Sequence, residues 1–403
     1  GIQQNSKFGY SLSLSSTGNQ LAIGTPSFDG PQGLESGLVT VYSSKNAKSR
    51  NNTNKTSLTS VIDGISYNFY GDSSNDRFGW SSCLSSDGKN LAVSGGLSKR
   101  RREDHYVKVY QYNDASDKWQ QRGQTLVGGG NDGVVSTFGF GLSLSLSRNG
   151  GRLAVGTQTD AVVFDHDSIL GRWNIMTREE NGGAIEEYND GSRVAVALSE
   201  DGMRLAVGGP YYDHSMGRVR VFDIHDNSNT TGEVFTQVGQ TMIGELINDR
   251  WGYSLSLSGD GSVVAAGCFD GCNYVKVYEL REDSGEKEWF PLGKEDDLVG
   301  NGNDNKMFGF SLSLSSKGDL LVVGSVHNDH HGKTVLYGLN RETSSWHQIG
   351  QVDGLEENDQ EGFAVSISPG GGCFATTAIN GNNDGLTRNG RVRVFKIEDE
   401  YYI

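Results

Sequence analysis

The chain has 403 residues, with 50 acidic against 35 basic side chains and a formal charge of −15. Clustered Lys and Arg are what phosphate neutralisation needs, so this balance argues against nucleic acid as a partner. No apolar run approaches bilayer-spanning length, which argues against membrane insertion.

Read from the N-terminus, the first organised stretch is Phe8-Gly9-Tyr10-Ser11-Leu12-Ser13-Leu14-Ser15-Ser16-Thr17-Gly18, returning as Leu21-Ala22-Ile23-Gly24. Leu12 and Leu14 alternate with Ser11, Ser13 and Ser15 at the period of a strand, and Ser-Ser-Thr-Gly supplies a tight turn. The phrase begins near residue 8, and near-copies begin near 78, 140, 192, 251, 308 and 361, at intervals of roughly 52–70 residues. A length that would otherwise suggest two or three domains therefore reads as one repeat unit, because a single repeat cannot bury its own faces. Only 35% of residues are hydrophobic and 57 are Gly, which fits small Ser and Gly allowing sheets to pack closely.

Two more strands follow each phrase. Strand C reads as Leu38-Val39-Thr40-Val41-Tyr42, Val107-Lys108-Val109-Tyr110, Val219-Arg220-Val221-Phe222, Val275-Lys276-Val277-Tyr278 and Arg391-Val392-Arg393-Val394-Phe395. Strand D is marked by Trp119 to Gln124, Phe235 to Gln240, Trp289 to Lys294 and Trp346 to Gln351. Four short antiparallel strands repeated seven times predict an all-β, seven-bladed β-propeller over residues 1–403. A right-handed β-helix, the structural rival, would want shorter, more even coils.

The Phe-Gly openings, with Gly24-Thr25-Pro26 and Gly208-Gly209-Pro210 after strand B, resemble the FG-GAP repeats of integrin α-subunit propellers and related secreted proteins. The Ser-x-Asp-Gly-x-x-Leu-Ala-Val-Gly portion also resembles a WD40 blade, without its Trp-Asp ending. The resemblance spans essentially the whole chain and implies a propeller, while propellers host unrelated activities. The calcium loop frequent in FG-GAP repeats is replaced here by tight turns such as Ser86-Asp87-Gly88, so no calcium site is carried over.

The last copy runs out near Tyr401-Tyr402-Ile403, where its strand D should begin. The expectation is a blade lacking most of strand D, in a chain that belongs to a longer protein. An open edge of that kind invites assembly with another strand.

Strand order sends the B–C loops and the D–A connectors to one face. That face collects Asp76, Asp249, Asp304 and Asp359 from the connectors and Asp29, Asp213 and Asp329 from the loops. It is the expected binding face, for a protein or glycan or for a divalent cation, the one cofactor candidate. The plainer reading is that each Asn-Asp pair caps its own turn. Tyr211 and Tyr212 are candidates to stack on a sugar, His327, His330 and His331 to ligate a metal, and Lys99-Arg100-Arg101-Arg102 is the one basic run.

Sequons at Asn51, Asn54 and Asn229 fall on the opposite face, and Cys268 and Cys272 are placed to close a small disulfide. No nucleophile elbow, phosphate loop or His-Glu-x-x-His motif is present. The expectation is thus a non-catalytic extracellular or cell-surface interaction or adhesion module. The alternatives are an intracellular WD40-like scaffold and a propeller glycosidase or lyase.

Overall fold

The computed structural model describes residues 3–44, 65–96, 105–128, 139–176, 184–186, 193–225, 234–269, 273–283, 285–294, 298–300, 307–327, 331–382 and 386–397. Blade one runs Ser11–Leu14, Gln20–Thr25, Leu38–Ser43 and Ile65–Tyr70, each strand antiparallel to the next. Blades two to six repeat that order from Ser82–Leu84, Ser143–Leu146, Ala195–Leu198, Ser254–Leu257 and Phe308–Leu314. The seventh contributes Glu361–Ile367, Cys373–Ala378 and Arg391–Lys396, three strands among the described residues. The expected seven-bladed propeller is what the chain forms.

In blades two to four the outer strand is broken. Lys118–Gln121 and Leu126–Val127, for instance, both pair with Tyr106–Asn113. Strand B is apolar on both sides, as in Leu21-Ala22-Ile23, because a neighbouring blade covers each face; these residues are 0–4% exposed. Hydrophobic clusters therefore straddle blade seams, such as Val263, Val275 and Val277 of blade five with Leu312, Leu321 and Val335 of blade six.

The strand-A serines tie the blades together as well as letting them approach. Oγ of Ser11, Ser143, Ser254 and Ser311 donates to the carbonyl of Gly79, Val194, Gly309 and Gly362 on the following blade, at 2.6–3.0 Å. Two residues on, Oγ of Ser13, Ser145, Ser256, Ser313 and Ser366 accepts the next blade's N–H from Leu84, Leu198, Leu314, Ile367 and Leu14, at 2.9–3.1 Å. The last of these bonds joins blade seven to blade one. A circle of backbone bonds among the A–B turns runs alongside, from Ser16 N–H to Ser86 O and finally from Gly370 N–H to Ser16 O. The ring closes through its innermost strands. Ser256→Ala is expected to lower stability by about 1 kcal/mol, read as a shift in denaturant midpoint with an unchanged slope.

The strand-D markers turn out to be a clasp between blades. The indole Nε1 of Trp173, Trp289 and Trp346 donates to the carbonyl of Arg122, Val238 and Leu292 on the preceding blade, at 2.8–2.9 Å. Gln124 and Gln240 then pair with the backbone N–H and C=O of Trp173 and Trp289. The intervening Gly123 and Gly239 have φ of 76° and 68°, and a Cβ on either would lie 2.7 Å from the indole. Glycine is needed there for both conformation and space.

Blade seven replaces the buried aromatic of Phe-Gly with Glu361, which is fully buried. Thr376 donates to it at 2.6 Å and Arg393 pairs with it at 2.7 Å. Burial raises the Glu361 carboxyl above its ordinary value, against the opposing pull of Arg393. The folded state therefore holds this proton more tightly than the unfolded chain does. Its contribution to stability is complete below the unfolded value and is lost as pH rises through the folded one. Relative to Glu361→Gln, the native protein is expected to gain stability as pH falls through that window, checked by chemical denaturation at several pH values.

Candidate functional site

The D–A connectors carry Asn-Asp-x triplets, and their backbones explain the pattern. Asn75, Asn248 and Asn358 have φ of 59–70°, a conformation Asn tolerates better than most residues. The aspartate that follows turns inward: Asp76, Asp249 and Asp359 are 0–2% exposed. Asp76 accepts from Asp72 N–H at 2.8 Å and Tyr106 OH at 2.5 Å. Asp249 accepts from Leu246 N–H at 2.9 Å and Tyr274 OH at 2.5 Å. Asp359 accepts from Leu355 and Glu356 N–H and pairs with Arg391. Burial and the facing carboxylates raise the Tyr106 and Tyr274 hydroxyls, keeping both as proton donors.

These three aspartates cap their own turns and hold neighbouring strands, and they do not form the solvent-facing acidic ring expected from sequence. Each of these carboxylates is turned away from solvent toward donors of the chain itself. Asp29 and Asp213 do lie on the surface, bonded to Gln3 and His214 respectively. Tyr212 lies under the Arg218 guanidinium at 4.1 Å and Tyr211 faces Arg250 at 5.2 Å, so both rings already stack on cations of the chain itself. His327 lines the channel mouth, and His331 has a buried Nδ1 with no hydrogen-bond partner. Among the described residues no His, Cys, Asp and Glu group is arranged to hold a metal ion. Asp304, Asp329, His330, the basic run at 99–102, the sequons at Asn51, Asn54 and Asn229, and Cys272 lie outside the described residues. Cys268 is disulfide-bonded, whereas Cys83 and Cys373 are free.

What the connectors present on this face is their last residue, which follows the aspartate in Asn75-Asp76-Arg77, Asn248-Asp249-Arg250 and Asn358-Asp359-Gln360 and follows Ser6 and Lys306 in the other two. Lys7, Arg77, Arg250, Met307 and Gln360 all have φ of 50–72°, at the equivalent place before strand A of blades one, two, five, six and seven. Non-glycine residues rarely adopt that conformation, and such strain concentrates at functional positions. Next to them, the residue after Gly9, Gly79, Gly252, Gly309 and Gly362 is aromatic and lines the channel in blades one, two, five, six and seven.

Tyr10, Trp80, Tyr253, Phe310 and Phe363, with Phe269, form a collar. Ring centroids are 4.7 Å apart for Tyr10–Trp80, 5.1 Å for Tyr10–Phe363, 5.2 Å for Phe310–Phe363 and 4.6 Å for Tyr253–Phe269. The collar rims a cavity of about 510 Å³, whose described lining includes Arg193 and His327 and no carboxylate. Blade four lacks the Phe-Gly phrase, and Arg193 stands at its entrance, 5.3 Å from the Tyr253 ring centre. Burial pushes the Tyr10 hydroxyl up to about 12, so it stays protonated at neutral pH. The collar is visible in the sequence as the aromatic that follows the opening glycine in five of the seven copies.

Seven antiparallel blades closed around such a channel define the protein as a seven-bladed β-propeller. Among solved structures, hydrazine synthase of Kuenenia stuttgartiensis is similar at 14% identity, over 98% of this chain and 97% of that one, with a TM-score of 0.53. The periplasmic gluconolactonase of Pseudomonas aeruginosa is similar at 14% identity, over 87% and 86%, with a TM-score of 0.54. A β-propeller domain from Myceliophteria thermophila is similar at 12% identity, over 97% and 96%, with a TM-score of 0.53. At these identities the likeness shows the fold alone. No protein-family model and no curated protein matches the chain.

Proposed function

We propose that the protein is a non-catalytic FG-GAP-like propeller, secreted or at the cell surface, that binds a protein or glycan partner through the face bearing the B–C loops and connectors. The observation that carries this reading is the channel mouth: a concave aromatic collar over a cavity of about 510 Å³, of ligand-binding size. Most glycosidases cleave with two carboxyl groups roughly 5–10 Å apart. The described lining offers none, which supports binding over hydrolysis. The bonded Cys268 supports an oxidising compartment.

Capture from panels of glycans and cell-surface ectodomains is expected to fall at least about tenfold in Trp80→Ala, at an unchanged melting temperature. Intact mass is expected to shift on deglycosylation and on reduction. Capture that ignores Trp80→Ala, or turnover of a glycoside by the purified protein, sinks the reading.

A further inference from the structure

We infer that the channel mouth takes an acidic sugar, its carboxylate on Arg193 and its ring against the aromatic collar. The inference rests on the binding reading above and names the ligand class.

Charge is the first ground. The protein is strongly acidic, yet the collar is surrounded by cations. Lys7 sits 5.9 Å from the Tyr10 ring centre, Arg193 5.3 Å from Tyr253, and Arg250 5.5 Å from Phe269. None of these three has a carboxylate partner among the described residues, while the neighbouring Arg77 is paired with Glu35 at 2.8 Å. Nε of Arg193 and of Arg250 is buried without a hydrogen-bond partner. A low-dielectric cleft lined by one sign of charge focuses its field and draws in the opposite sign. A guanidinium matches a carboxylate fork to fork.

The floor and walls point to a sugar as the carrier of that anion. Below the collar, the hydroxyl protons of Ser11, Ser143, Ser254 and Ser311 are committed to carbonyls of neighbouring blades. Their oxygens retain acceptor capacity, which suits a ligand rich in hydroxyl donors. A bare tetrahedral anion would leave both this floor and the collar unmatched. The collar rings are inclined to one another by 41–50° at Tyr10–Trp80, Tyr10–Phe363, Phe310–Phe363 and Tyr253–Phe310. A planar base would want parallel faces to slide between. A puckered ring offers C–H groups to several inclined faces at once.

The test is calorimetric titration of the full chain with trigalacturonate, maltotriose and inorganic phosphate, on native protein, Arg193→Ala, Arg193→Lys and Trp80→Ala. Trigalacturonate is expected to bind at least about tenfold more tightly than maltotriose. Arg193→Ala removes that preference at an unchanged melting temperature, Arg193→Lys keeps part of it, and Trp80→Ala weakens both sugars. Raising the salt concentration weakens the acidic sugar alone.

Equal affinity for both sugars, trigalacturonate binding that ignores Arg193→Ala, or phosphate binding as tightly as trigalacturonate overturns the inference. If partner capture still depends on Trp80 in that case, the binding reading survives without its acidic sugar. If capture also ignores Trp80→Ala, the reading falls with it.

Discussion

Gly208→Ala is expected to destabilise the protein by more than about 3 kcal/mol and to leave little soluble material. A Cβ built on Gly208 lies 2.2 Å from the carbonyl oxygen of Gly252 on the next blade and 3.1 Å from its carbon. Both atoms belong to backbone held on two sides, so nothing flexible can move away. The same approach recurs at Gly24 against Gly79, Gly267 against Gly309 and Gly324 against Gly362, at 2.0–2.3 Å. Strand B thus carries a glycine at or next to its end because the neighbouring blade's turn at Gly79, Gly252, Gly309 or Gly362 rests directly on it. Gly372, with nothing within 4 Å of its Cβ position, is the control and is expected to change by less than about 0.5 kcal/mol as Ala. Equal thermal midpoints for the two variants would show that the seam is packed differently.

Trp289→Ala is expected to cost about 3–5 kcal/mol, the range for deleting a buried aromatic. Trp289 is 1% exposed and reaches back to blade four, where Val238 accepts its indole N–H at 2.9 Å. Gln240 grips its backbone from the same side. Trp119 in blade two supplies the comparison. Its Nε1 is buried without an acceptor, and Tyr67, Phe69 and Tyr112 surround its ring instead. Its loss is expected to cost less, by about the worth of one indole hydrogen bond. A cycle of Trp289→Ala with Gln240→Ala, followed by urea denaturation, should give a coupling of about 0.5–3 kcal/mol. Strictly additive losses would remove the clasp as a unit.

The blade count, the strand order and the placement of turns were legible because each rests on local chemistry repeated seven times. The Ser-x-Asp-Gly turn illustrates this. Ser85, Ser199 and Ser258 accept the N–H five residues on, and Asp87, Asp201 and Asp260 accept the N–H two residues on. All those partners lie within a few positions in sequence, so the phrase itself predicts them. The binding face was legible only in outline. In Asn75-Asp76-Arg77 and Asn248-Asp249-Arg250 the turn cap is local, from Asp72 N–H and Leu246 N–H, and is the plainer reading the sequence offered. The second donors, the hydroxyls of Tyr106 and Tyr274 on the following blades, lie about 25–30 residues away and are supplied only by tertiary structure.

The amino-acid sequence by itself determined that this chain is an all-β ring of repeats, since period-two alternation and turn residues act over a few residues. Tertiary structure alone decided what the repeated residues do once blades meet. It turned strand-A serines into inter-blade bonds, the Trp and Gly-Gln markers into clasps and the connector aspartates into buried caps. It also gathered Tyr10, Trp80, Tyr253, Phe310 and Phe363 with Arg193 around one channel. Those residues are separated by whole blades in the chain, and only closure of the ring brings their faces together.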